Sequence, residues 1–130
     1  VALVVDRVQA ALAQVLPALR LPAGVVGTLE AQVTASGDGS YFGIHTDAGY
    51  GANDRRHLTY VYYFHGTPRG FAGGELLVYD DVLRNGRLAR APTFQAVEPR
   101  HNSVVLFWSR AMQSLGISNL ESIVVGRGIN

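Results

Sequence analysis

From residue 28 onward the chain is a series of short apolar and aromatic runs, each cut off by Gly, Pro, Asn or Asp: 41–45, 58–64, 75–79, 93–97, 103–108 and 123–125. Runs of this length between turn residues read as strands, and their even punctuation points to an antiparallel sandwich or barrel. Residues 28–34 add a half-buried strand, with Leu29, Ala31 and Val33 alternating against Glu30, Gln32 and Thr34. The segments 36–40, 48–56, 66–74 and 80–91 read as loops, and Gly73-Gly74 as a turn or a close backbone approach. Only the start differs. Val4, Val8, Leu12, Val15 and Leu19 recur at helical spacing, which predicts one amphipathic helix over about 4–20, ending near Pro22 and Gly24. A chain of 130 residues suits one domain, 1–130, with a β core over about 28–130 behind that helix.

Composition narrows the function. Hydrophobic residues at 48% against 16% charged, with 15 glycines, fit a compact turn-rich β protein better than a coiled coil or a disordered tail. Eleven basic residues against 10 acidic ones leave no concentrated positive charge for nucleic acid or a membrane surface, so a small-molecule or peptide substrate is expected. Cysteine is absent, which excludes disulfides and thiolate-bound metal; any metal must be held by His and carboxylate. The chain carries no leader-like start and no apolar run of the roughly 20 residues that cross a bilayer, so a soluble, cytoplasmic protein is the expectation. It does not begin with Met, leaving room for a longer native N-terminus. Nothing in the composition sets an oligomeric state.

The stretch Tyr41-Phe42-Gly43-Ile44-His45-Thr46-Asp47 carries the most chemistry. Residues two apart at the end of an extended segment project to the same side, so His45 and Asp47 can aim an imidazole and a carboxylate at one point. That is two thirds of a two-His-one-carboxylate facial site, which leaves open positions on iron. Alone, the same pair is equally a solvent-facing polar strand end.

Downstream stand Arg56-His57-Leu58-Thr59-Tyr60-Val61-Tyr62-Tyr63-Phe64, then Gly73-Gly74-Glu75-Leu76, then Glu98-Pro99-Arg100, then Ser103-Val104-Val105-Leu106-Phe107-Trp108-Ser109. In this order and spacing the series, over roughly 31–112, resembles the prolyl 4-hydroxylase-like branch of the Fe(II)/2-oxoglutarate oxygenases. The resemblance implies a mainly β fold behind the N-terminal helix, a double-stranded β-helix (jelly roll, cupin-like). It implies Fe(II) and 2-oxoglutarate as cofactor and cosubstrate, with ascorbate a further candidate, and hydroxylation of a prolyl or related amino-acid substrate. His45 and Asp47 become the catalytic metal ligands. Tyr63 and Arg127 become the residues that hold the distal carboxylate of 2-oxoglutarate, an arginine fork being suited to that task. Loops 48–56 and 66–74 are expected to border the substrate entrance. The plainer alternatives are a surface arginine for Arg127 and a core aromatic for Tyr63.

One departure stands out against that resemblance. In similar sequences a His-Glu-Val stretch follows the Phe-x-Ser strand end and its histidine is the third metal ligand; here Gln113 takes that place, within Ser109-Arg110-Ala111-Met112-Gln113-Ser114-Leu115. A glutamine offers iron only a neutral amide oxygen. His57, His65 and His101 show no sequence pattern that makes any of them the substitute. The chain could be a working oxygenase with an altered site, or a non-catalytic binding or assembly module on the same fold with a degenerate metal site. It could also carry an altered C-terminal stretch.

Overall fold

The computed structural model describes residues 2–21, 27–47, 57–111, 113–118, 122–125 and 128–129. They form one helix, α1 (Ala2–Ala18), and the strands β1 (Val33–Ser36), β2 (Tyr41–His45), β3 (Leu58–Phe64), β4 (Ala72–Arg84), β5 (Arg87–Val97), β6 (Ser103–Trp108), β7 (Gln113–Ser118), β8 (Ser122–Val125) and β9 (Gly128–Ile129). One sheet runs β1-β8-β3-β6 with β9 also on β3; the other runs β2-β7-β4-β5. Every strand pair is antiparallel. This is the expected double-stranded β-helix behind an N-terminal helix.

The alternation along β3 explains how one strand serves two layers. Leu58 and Tyr60 point outward and meet Val8 and Leu12 of α1, with Leu106 of β6 beside them. Val61 and Tyr63 point inward and meet Leu76, Val78, Val97, Val105 and Phe107, which come from both sheets. Period-two side chains on a sheet covered on both faces produce this sorting. The helix is therefore the lid on the outer face of the larger sheet, and the inter-sheet core lies behind it.

The helix stops at Ala18, short of the expected boundary. The cause is its C-terminal cap: the Leu21 N–H donates to the Leu16 carbonyl at 2.8 Å and the Arg20 N–H to the Pro17 carbonyl at 3.0 Å, with Arg20 left-handed at φ 55°. This bond pair is a Schellman closure with an arginine where glycine is usual. Pro22 and Gly24 lie outside the described residues.

Three other expectations change. The half-buried strand placed at 28–34 reduces to a single bridge at Leu29, and regular pairing begins only at Val33, opposite Val125. Residues 80–91, read as a loop, form the far half of a long β4–β5 hairpin. Asn85 at φ 50° and Gly86 at φ 73° close it, as a tight two-residue hairpin turn of this hand requires. This arm projects beyond the core, with Leu83 68% and Leu88 61% exposed, so it shows no buried-face periodicity. β7 was not foreseen either.

The loop 66–74 lies at the end of the barrel away from His45. β3 starts beside the end of β6 (Leu58 opposite Trp108) and finishes beside its beginning (Tyr63 opposite Ser103), so a loop leaving β3 starts at the far end. There the His65 ring meets Phe71 edge-on at 5.1 Å. Gly74, at φ 84°, lies so close to Pro99 that an added Cβ would sit 3.2 Å from its ring, bearing out the close approach read at Gly73-Gly74. Loop 48–56, the other expected border, lies outside the described residues.

Candidate metal centre and cosubstrate pocket

A β-bulge aims His45. Phe42 pairs with Leu115 and His45 with Gln113, so three steps along β2 match two along β7. The extra residue cancels one alternation and puts Phe42 and His45 on the same side, with ring centroids 6.3 Å apart. Position 113 also pairs with Val78, which packs into the inter-sheet core, so this row belongs to the inner face of the smaller sheet.

The His45 Nδ1–H donates to the Gly43 carbonyl at 2.7 Å. A carbonyl only accepts, so Nδ1 carries a proton and Nε2 is the nitrogen left to face outward. That Nε2 lies 3.4 Å from Asp47 Oδ1. In the neutral imidazole this orientation turns the Nε2 lone pair toward the carboxylate, a pairing of donors suited to a divalent cation. The imidazole is 42% exposed and the carboxylate 18%, so the pair sits at a rim that solvent and ligand can reach.

Asp47 is held from behind. Its N–H donates to the Ser109 carbonyl at 2.9 Å, and the Ser109 N–H donates to the His57 carbonyl at 3.0 Å. Ser109 is fully buried and accepts a hydroxyl hydrogen bond from Thr59 at 3.0 Å. Sequence reasoning missed this frame. Thr59 and Ser109 stand 50 residues apart, and nothing in either run announces their contact.

Deeper inside, Tyr63 is 1% exposed and its hydroxyl finds no partner among the described residues. Burial first, and the Glu75 charge second, hold this phenol far above its ordinary value, so at neutral pH it is a neutral hydrogen-bond donor. A buried hydroxyl without an acceptor costs about 1–3 kcal/mol. A ligand carboxylate reaching it would recover that cost. Tyr63→Phe is therefore expected to stabilise the ligand-free protein by up to about 1–3 kcal/mol, read by thermal unfolding, while weakening 2-oxoglutarate binding, read by calorimetry. Unchanged affinity would remove Tyr63 from the pocket.

The structure brings His45 and Asp47 together and places position 113 in register with His45, while Tyr63 lines the interior. Arg127 lies outside the described residues. Among the described residues no three His, Cys, Asp or Glu side chains gather close enough to hold one metal ion. His65 and His101 are at the far end, where the His65 N–H donates to His101 Nδ1 at 3.1 Å. His57 is at the same end as His45 and Asp47.

The sequence model of the 2OG-Fe(II) oxygenase superfamily matches residues 31–121. The chain belongs to that superfamily. An uncharacterized PKHD-type hydroxylase of Synechocystis sp. is 41% identical over 109 residues, 84% of this chain and 36% of the relative. The chain thus spans little more than a third of that relative's length. The crystal structure of a Pseudomonas putida prolyl-4-hydroxylase superposes with a TM-score of 0.68 at 20% identity, covering 98% of this chain and 61% of the other, a likeness of fold. The prolyl 4-hydroxylase-like resemblance holds in these comparisons. No described helix is long and apolar enough to cross a membrane.

Proposed function

We propose that this chain carries the catalytic centre of a 2-oxoglutarate/Fe(II)-dependent hydroxylase acting on a prolyl or related amino-acid residue, in a peptide or as a small molecule. The observation that carries this reading is His45 Nε2 set 3.4 Å from Asp47 Oδ1, with Nδ1 tied back to the Gly43 carbonyl. Fe(II) and 2-oxoglutarate, when bound, supply the oxidising power to hydroxylate an unactivated C–H bond with dioxygen. The chain's own residues do the rest. His45 and Asp47 would hold the metal, with Gln113 at the third position. Tyr63 donates its phenolic hydrogen bond to the distal carboxylate, with Arg127 as the cationic partner. Ser109 and Thr59 keep the Asp47 backbone fixed, so that the carboxylate arrives already oriented. Ascorbate would maintain the ferrous state, and a reducing cytoplasm suits a cysteine-free iron protein. The prolyl class is supported by the names of the two similar proteins.

A second reading is favoured by one observation, the absence of histidine at position 113: a binding or assembly module with the same pocket and no turnover. Titration of the chain with Mn(II) and 2-oxoglutarate tests the metal site common to both cofactors. Saturable micromolar binding that disappears in His45→Ala supports the hydroxylase; indifference to metal supports the module.

A further inference from the structure

We propose that the β4–β5 arm docks an extended peptide substrate whose acidic residues lie several positions away from the residue presented at the rim. The inference rests on the hydroxylase reading above and deepens it, selecting a peptide over a free small molecule.

Register provides the first ground. His45, Gln113, Val78 and Gln95 form one row across the smaller sheet. β2 ends and β7 begins at that row, whereas β4 runs on to Arg84 and β5 returns from Arg87. The arm therefore passes the row of His45 from Val78 to Arg84, a reach of about 20 Å.

The open edge of β4 provides the second. β4 pairs with β7 only as far as Val78, so residues 79–84 have no strand partner on that side among the described residues. Such an edge takes an extended peptide through backbone hydrogen bonds. A peptide laid there continues the line of β7 and leads to Gln113 and His45. The β5 edge is less suited, because Pro92 has no N–H to donate and the register shifts beside it.

Charge provides the third and names the partner. Tyr79 carries Phe94 and Arg90 against its ring, at 5.4 and 4.9 Å, on the face opposite to Val78. By alternation Asp80, Val82 and Arg84 continue the face of Val78, with Ala89 and Arg87 across from the last two. Arg84 and Arg87 are exposed and directly opposite each other, and neither has a hydrogen bond or ion pair with a described residue. Like charges paired across two strands cost stability. A carboxylate between them offsets that cost and accepts charge-assisted hydrogen bonds from both guanidinium groups. Asp80 stands nearer the His45 row on the same face, so the acidic end of the peptide is directed to the tip. A free amino acid cannot reach both the rim and the tip.

The test uses two labelled peptides on the whole chain, read by fluorescence anisotropy without metal. Each has one proline, a spacer of about six alternating threonines and alanines to cover the arm, and a terminal triplet, glutamate in one and lysine in the other. The glutamate peptide should bind at least roughly 10-fold more tightly, the scale of hydrogen bonds to charged groups. Arg84→Glu combined with Arg87→Glu should reverse the preference while leaving Mn(II) affinity at the wild-type value. With Mn(II) added to the wild type, the proline protons of the bound glutamate peptide should relax faster; unchanged relaxation overturns delivery to the rim. Equal binding of the two peptides, binding of neither, or an unaltered preference in the double variant overturns the docking role and leaves the metal assignment standing. A wild type that prefers the glutamate peptide yet ignores Mn(II) supports the docking surface and overturns the hydroxylase reading.

Discussion

Gln113→His is expected to strengthen Mn(II) binding by roughly 10- to 100-fold and to raise 2-oxoglutarate decarboxylation to a readily measured rate. Position 113 opens β7 directly across the ladder from His45, on the inner-face row that also contains Val78. An imidazole there supplies a nitrogen donor for divalent iron or manganese in place of an amide oxygen. The substitution leaves the bulge of β2 and the Asp47–Ser109 hydrogen bond untouched, so any gain reports on donor chemistry. Decarboxylation without added prime substrate isolates the metal and cosubstrate steps from the unknown hydroxylation target. No gain in binding or decarboxylation from Gln113→His would mean that the pocket lacks some other essential part.

Tyr60→Ala should destabilise the fold by about 3–5 kcal/mol, the range for removing a buried aromatic ring. Tyr60 is 0% exposed and packs with Leu58 against Val8 and Leu12, and its hydroxyl donates to the Glu30 carbonyl at 3.1 Å. It therefore ties together the helix, the larger sheet and the segment leading to β1. Tyr60→Phe keeps the ring and loses only the hydrogen bond, for about 1 kcal/mol. Denaturant unfolding of the two variants separates packing from hydrogen bonding, and equal losses would show that the helix-covered face contributes less than its burial implies. Because Tyr60 and Tyr63 belong to opposite faces of β3, Tyr60→Ala should lower stability whereas Tyr63→Phe should raise it.

The parts legible in the sequence were short apolar or aromatic runs closed off by turn residues. The runs at 41–45, 58–64 and 103–108 match β2, β3 and β6 to the residue, because the turn residues on either side mark their ends. The β4–β5 arm was hidden because, beyond Tyr79, neither face is consistently buried; the only local signal was Asn85-Gly86, whose positive φ values close the hairpin. β7 was hidden for a related reason. Gln113-Ser114-Leu115-Gly116 carries no apolar alternation, and the strand is fixed by neighbours on both sides, β2 and β4.

For the candidate site, the His45–Asp47 pair was legible from spacing, and the missing histidine from its absence at 113. The bulge and the Ser109 frame were not. Each depends on hydrogen bonds between segments distant in the chain, and the sequence records only their endpoints. The placement of loop 66–74 went wrong because a linear sequence does not say which end of a barrel a strand leaves.

The extra residue in β2 also bears on how this segment can vary. Side chains at Gly43 and Ile44 can change while the imidazole keeps its aim, since neither pairs across to β7 and no atom lies within 4 Å of a Cβ built on Gly43. Length is different. Deleting either residue would restore a regular ladder, swing the imidazole through half a turn, and separate it from the carboxylate while leaving every remaining amino acid unchanged.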